Sequence, residues 1–329
     1  MSLLTFREAL RNALIEEMDR DPTVLLMGEE VAEYQGAYKV SQGLLEKYGP
    51  KRIIDTPITE AAFTGIAIGA AMAGLHPIVE WMTFNFGILA LDQVINNAAK
   101  MRYMSGGQTS IPIVIRGPNG PAEFLGSQHS QNLASILTHI PGLKVICPAT
   151  PYDAKGLLKT AIRDGNPVMF MESELMYQLQ GEVPDKEYLI PFGKADIKRA
   201  GQDVTLLAYG RELHTALAAA EQLATQGIDA EVIDLRSLRP LDSETIFASV
   251  AKTNHLVIVD ESWPIASLGS YIAHLVAHDC FDLLDAPIEL VQMEDVPMPY
   301  NHALELAVLP SMDKIITAVQ LSLSSTQQA

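Results

Sequence analysis

The sequence predicts an α/β protein built from two doubly wound parallel-sheet domains. Short apolar runs alternate with helical segments, the pattern of parallel strands covered by helices on both faces. The alternation stops over residues 174–191, a polar stretch containing Gly181, Pro184 and Pro191, and then restarts. At 329 residues the chain also exceeds one typical core. These observations give a first domain over residues 1–175, a linker over 176–192 and a smaller second domain over 193–329.

Thr5-Phe6-Arg7-Glu8 reads as a capping box opening a helix to about Asp19, which Asp21-Pro22 breaks. Residues 23–27 form a buried strand ending at Gly28-Glu29-Glu30, and Gly36-Ala37-Tyr38 lies in a loop before a helix over 42–48. A strand over 51–54 runs through Asp55-Thr56-Pro57-Ile58-Thr59 into Glu60, which opens a helix with almost no polar side. Such a helix is expected to be buried on nearly every face. Gly65, Gly69 and Ala73 recur at spacing four, so another backbone can approach closely.

A strand over 77–82, a loop over 81–86 and a long helix over 89–104 follow, the helix ending at Gly106-Gly107. Next come a strand over 111–117, the loop Pro118-Asn119-Gly120 and a helix over 130–137. A strand (143–147), a helix (152–162) and a strand (167–171) complete the first domain. The second domain alternates strands over 203–209, 229–235, 255–260 and 288–293 with helices, the last over 311–321. The tail, 322–329, is expected to fray.

A net charge of −17 argues against nucleic acid, whose phosphates it would repel. The apolar run 61–75 falls short of the roughly 20 apolar residues that cross a bilayer, so no membrane is expected. No targeting segment shows in Met1-Ser2-Leu3-Leu4-Thr5-Phe6-Arg7-Glu8, so a cytoplasmic protein is expected, or one of an organelle matrix or stroma after removal of a transit peptide. Cys147 and Cys280 have neither pairing nor metal spacing and read as reduced thiols. No G-x-G-x-x-G follows the first strand of either domain and no G-x-x-x-x-G-K-S/T occurs, which makes an independent dinucleotide or ATP site a poor reading.

Two residues stand out for chemistry. Glu60 is an acid at the edge of a dry interior, where water cannot solvate it cheaply. A first-turn glutamate also offsets the helix dipole, but the glycine-lined helix behind Glu60 favours a chemical role. His129 lies among Gln128, Ser130 and Gln131, a setting for ligand access, although this polar cluster could instead cap the helix that follows. In the second domain, His255, His274, His278 and His302 have no carboxylate or cysteine at ligand spacing.

Several blocks then carry a resemblance: Gly28-Glu29-Glu30-Val31, Gly36-Ala37-Tyr38-Lys39-Val40, Arg52-Ile53-Ile54-Asp55-Thr56-Pro57-Ile58-Thr59-Glu60 and Glu80-Trp81-Met82-Thr83-Phe84-Asn85-Phe86. Further on come Arg116-Gly117-Pro118-Asn119-Gly120, Gln128-His129-Ser130-Gln131, Asp234-Leu235-Arg236-Ser237-Leu238-Arg239-Pro240 and Asp295-Val296-Pro297-Met298-Pro299-Tyr300. In order over nearly the whole chain, they resemble β subunits of the decarboxylating first component of thiamine diphosphate-dependent 2-oxo acid dehydrogenases. The blocks at 116–120 and 295–300 look more like the pyruvate form than the branched-chain form, the nearest rival. A noncatalytic scaffold subunit is the alternative from another class.

The resemblance implies a transketolase-like pyrimidine-binding domain followed by a transketolase C-terminal-like domain. It implies thiamine diphosphate shared with an α subunit in an α2β2 heterotetramer, with Mg²⁺ held by the α subunit. Asn96-Asn97 stands here without the preceding Gly-Asp-Gly of that motif, as a half-site would require. The resemblance gives Glu60 a hydrogen bond to the aminopyrimidine ring, and burial is expected to raise its pKa. It places Met82 and Phe86 beside that ring, although plain core packing would explain both equally. It places His129 over the reacting centre, where a 2-oxo acid binds and an acyl group leaves for the lipoyl acyltransferase. A structural potassium site is implied at Ile113, Ala161, Ile162, Asp164 and Asn166, mostly through main-chain carbonyls. Asp260-Glu261 and Glu294-Asp295 are expected to suit docking to a basic domain of the acyltransferase core. One departure, Pro121-Ala122-Glu123-Phe124-Leu125, replaces smaller residues and implies a differently shaped entrance.

Overall fold

The computed structural model describes residues 1–325. The strands are β1 (Ser2–Thr5), β2 (Val24–Gly28), β3 (Ile53–Asp55), β4 (His76–Glu80), β5 (Val114–Pro118), β6 (Lys144–Ile146), β7 (Val168–Glu172) and β8 (Gln180–Val183). They continue as β9 (Asp196–Arg199), β10 (Val204–Ala208), β11 (Ala230–Asp234), β12 (Ser237–Arg239), β13 (Leu256–Asp260) and β14 (Glu289–Gln292). One sheet has the order β12-β6-β7-β5-β4-β2-β3 and a second the order β14-β13-β10-β11-β9. Only the edge strands β12 and β9 run antiparallel in these sheets. Strands β2, β5, β7, β10, β11 and β13 are buried at every position, as parallel strands under two helical layers must be.

The polar stretch at 176–192 lies against the first sheet's domain. Its β8 pairs antiparallel with β1, and Tyr188 stacks on Tyr152 at 4.7 Å. In return, β12 crosses from the second half to pair with β6. β12 thus ties the second half into the first sheet.

Local signals place most elements. The Thr5 side chain accepts the Glu8 N–H while the Glu8 carboxylate accepts from the Thr5 backbone, starting the helix Phe6–Arg20. The helix expected over 89–104 begins earlier, at Phe84, because Thr83 caps it, and the run passes through a π-helical segment, Gln93–Ala98. The helix expected over 130–137 is Ala134–Thr138. Asn119 and Asn132 side chains accept the Leu133 and Ala134 N–H groups and delay its start.

Three expectations need correcting. The helix Glu60–Met72 is not buried all round: Phe63, Ala67, Ile68 and Ala71 face the core, but Ile66 is 64% exposed and Met72 is also exposed. Gly65 faces Gln93 of the same chain, whereas the space over Gly69 is open. The tail does not fray from 322, because the helix Met312–Ser325 continues and Ser322 meets the buried His255 at 2.9 Å; residues 326–329 lie outside the described residues. Among the described residues, the stretch 302–324 is long and apolar enough to span a membrane by composition. It is broken between Val308 and Met312, and its second half packs on β13 and β14.

Candidate active site

The first sheet's carboxyl ends hold most of the residues singled out by the sequence, as open α/β sheets place ligand sites. Glu60 is the first residue of its helix and is 6% exposed. Beyond the end of β2 stands Glu29, equally buried, with Oε1 lacking a hydrogen-bond partner in the protein. Burial pushes the Glu29 carboxyl up to about 7, and the charge and hydrogen bond of Glu60 add to the rise. A raised carboxyl thus stands at Glu29, directly beside Glu60. Asp55 accepts the Ala32 and Glu33 N–H groups at 2.7 and 3.0 Å, which fixes the turn after Glu29.

Trp81 Nε1 donates to Thr64 Oγ1 at 3.0 Å, tying the Glu60 helix to the segment that carries Met82. Met82 is half-buried just past β4. Phe86 is 38% exposed in the first helical turn after Thr83, and its ring meets that of His129 edge-on at 5.1 Å. Asn85 Oδ1 accepts the Gln131 N–H at 2.8 Å and the Gln131 carbonyl accepts the Gly120 N–H at 3.0 Å. These bonds sew the His129 turn to the Phe86 turn. Tyr38 donates to Glu174 at 3.0 Å, and burial raises the Glu174 carboxyl despite that bond.

Beneath the site Arg116 is fully buried between Glu80 and Glu172, donating to Glu172 Oε1 at 2.6 Å, and Tyr177 donates to the same carboxylate at 2.7 Å. This cluster joins the ends of β4, β5 and β7. Sequence reasoning assigned no role to Glu29, Asn85, Glu174 or this cluster. The one signal for Glu29 was its place directly after a buried strand.

The residues fit one end of a heterocyclic cofactor. A buried, unpartnered carboxylate oxygen and a neighbouring acid can meet ring nitrogens, and an exposed aromatic edge can flank a ring. Among the described residues no three His, Cys, Asp or Glu side chains converge on a metal position. Asn96 and Asn97 bond within their own helix, to Asp92 and Gln93.

The five positions expected for potassium gather where the helix Pro151–Arg163 leads into β7. The Ile113 carbonyl accepts from Val168 and the Ala161 carbonyl from Asp164. The Asp164 carboxylate accepts from Asn166 and is paired with the Lys144 ammonium, so its charge is already met. A cation here would rest on main-chain oxygens.

The docking expectation fails at Asp260-Glu261, since both are buried. Asp260 accepts from Tyr209 at 2.5 Å, and Arg211 holds Glu261 at 2.8 Å. Glu294 is paired with Lys314 at 3.0 Å.

Residues 2–180 match the family described as the transketolase pyrimidine binding domain, and residues 193–315 that described as the transketolase C-terminal domain. The chain is 56% identical over 321 residues to the mitochondrial pyruvate dehydrogenase E1 component subunit beta-2 of Oryza sativa subsp. japonica, covering 96% of this chain and 85% of that one. It is 56% identical over 317 residues to the pyruvate dehydrogenase E1 component subunit beta of Rickettsia felis, covering 96% and 97%. The Caenorhabditis elegans mitochondrial subunit is 54% identical over 328 residues, covering 98% and 93%. A solved split-gene transketolase, described as an inactive beta4 tetramer, superposes with a TM-score of 0.80 at 24% identity over 98% of this chain and 99% of that chain, which shows the fold alone.

Proposed function

Because the chain belongs to the β-subunit family of the pyruvate dehydrogenase E1 component, built on transketolase-type domains, we propose that Glu60, Met82, Phe86 and His129 form its half of a thiamine diphosphate site completed by an α subunit. The chain is the β subunit of a pyruvate dehydrogenase, an enzyme of oxidative pyruvate decarboxylation and acetyl transfer. When bound, thiamine diphosphate supplies the electron sink that loss of CO₂ from a 2-oxo acid requires.

Glu60 holds a hydrogen bond and a proton at the aminopyrimidine edge. Glu29, poised near neutrality by burial beside Glu60, is an acid with which that proton can be exchanged. Met82 and Phe86 flank the ring and exclude water from it. His129, edge-on to Phe86, faces the reacting end and serves substrate binding and acyl transfer to a lipoyl group. Mg²⁺ and the diphosphate belong to the α subunit in this reading, which the missing Gly-Asp-Gly supports. The open, apolar face of the helix Glu60–Met72, with Ile66, Gly69 and Met72 outward, supports an α2β2 assembly closing over it. Two cysteines kept as buried thiols support a reducing compartment, cytoplasm or organelle matrix.

The observation that carries the reading is the buried Glu29–Glu60 pair at the carboxyl ends of the strands. With the α subunit, thiamine diphosphate and Mg²⁺ present, the wild type should decarboxylate pyruvate in preference to branched 2-oxo acids. Glu60→Gln should lower that rate by about 10²-fold or more. Near-normal turnover by Glu60→Gln would leave only a scaffold role, and preference for branched acids would move the substrate. Main-chain potassium binding at residues 113 and 161–166 predicts a lower Tm in choline chloride than in KCl at equal ionic strength; equal values would remove the site.

A further inference from the structure

The stretch Pro121-Ala122-Glu123-Phe124-Leu125 has an unusual backbone. Phe124 sits at φ +62°, a left-handed conformation that a bulky side chain keeps only where its surroundings hold it. Those surroundings belong to the second domain. Glu305, buried on the helix His302–Val308, accepts the Phe124 N–H at 3.1 Å. The Phe124 ring meets the His302 ring edge-on at 4.2 Å. Ser127 Oγ donates to the Met298 carbonyl at 2.8 Å. Gly126, at φ +78°, faces Tyr300 so closely that a Cβ there would lie 3.1 Å from the ring. The His129 N–H in turn donates to the Gly126 carbonyl at 3.2 Å. The turn that presents His129 therefore rests on residues gripped from the other domain.

We infer that residues 298–305 form an interdomain clasp, centred on the Glu305–Phe124 bond, that positions His129 for its step. This rests on the reading of His129 given above. Glu305 and Phe124 are positioning residues, and neither reaches the aminopyrimidine end. Glu60 is held by a separate set of contacts, from the β2 end and the Thr64–Trp81 bond. Loosening the clasp thus separates the two ends of the site: acyl transfer suffers while cofactor capture does not.

The test uses the chain assembled with its α subunit. Glu305→Ala removes the acceptor, whereas Glu305→Gln keeps a carbonyl oxygen in its place. Chymotrypsin cleavage after Phe124 and Leu125, followed by mass spectrometry, should run roughly tenfold faster in Glu305→Ala and near the wild-type rate in Glu305→Gln. Acyl transfer to a lipoyl-bearing domain should fall about tenfold in Glu305→Ala, with the thiamine diphosphate dissociation constant within about twofold. In a His129→Ala background, Glu305→Ala should add nothing to the transfer defect. Wild-type cleavage in Glu305→Ala, an equal loss of cofactor affinity, or a fully additive double variant would each overturn the clasp. If His129→Ala transfers normally, the reading of His129 falls while the cleavage rates still decide the clasp. Should Glu305→Ala fail to assemble, Ser127→Ala carries the same comparison: cleavage about twofold faster supports the clasp, and an unchanged rate removes it.

Discussion

Glu29 and Glu60 meet from the ends of different elements, and burial, with Glu60 beside it, raises the Glu29 carboxyl. A carboxyl raised from its ordinary value to about 7 binds its proton more tightly in the folded than in the unfolded chain. Its stabilising contribution is fully present below about pH 4.5 and is lost as pH rises through about 7. Without added thiamine diphosphate, Glu29→Gln should therefore flatten the fall in Tm between pH 5 and 8 that the wild type shows. An unchanged slope in the variant would mean that the proton lies elsewhere. Glu60 was legible in the sequence because an acid at the head of an apolar helix is conspicuous. Glu29 was not, because its partner lies on another strand-helix unit and only the parallel register of β2 with β3 brings them together.

At the scale of elements, the site depends on close approaches that side chains would block. A Cβ on Gly87 would stand 2.2 Å from the Trp81 ring, which is packed edge-on to Phe84 at 5.1 Å. Gly87→Ala should cost about 1–3 kcal/mol by overpacking, read as a lower denaturation midpoint. The Arg116 cluster is a harsher case, since Arg116→Met leaves Glu80 and Glu172 buried without their cation. That variant should lose roughly 3–5 kcal/mol, and a midpoint shift under about 1 kcal/mol would mean the cluster has been misjudged. Alternation of apolar runs revealed the strands, and caps such as Thr5 revealed helix starts. The early start at Phe84 and the π-helical turn were not legible, because they follow from how Thr83 and Trp81 pack in three dimensions.

For the whole molecule, the apolar composition of the helix Glu60–Met72 predicted burial, and half of that burial is absent within this chain. A sequence records that a face is apolar but not which polypeptide covers it. Gly69→Leu meets open space here, so the isolated chain should keep its Tm within about 2 °C while assembly with the α subunit weakens at least tenfold. Unimpaired assembly of that variant would show that the face is covered by something else. The second domain proved similarly opaque. Its acids at the end of β13 looked exposed in sequence, yet they bond inward to Tyr209 and Arg211.

The most direct measurement is a calorimetric titration of thiamine diphosphate with Mg²⁺ into this chain alone, into the α subunit alone and into the two combined. Saturable binding should appear only in the combination, and Glu60→Gln should weaken it there. Binding of equal affinity by this chain alone would contradict a site finished by a second polypeptide.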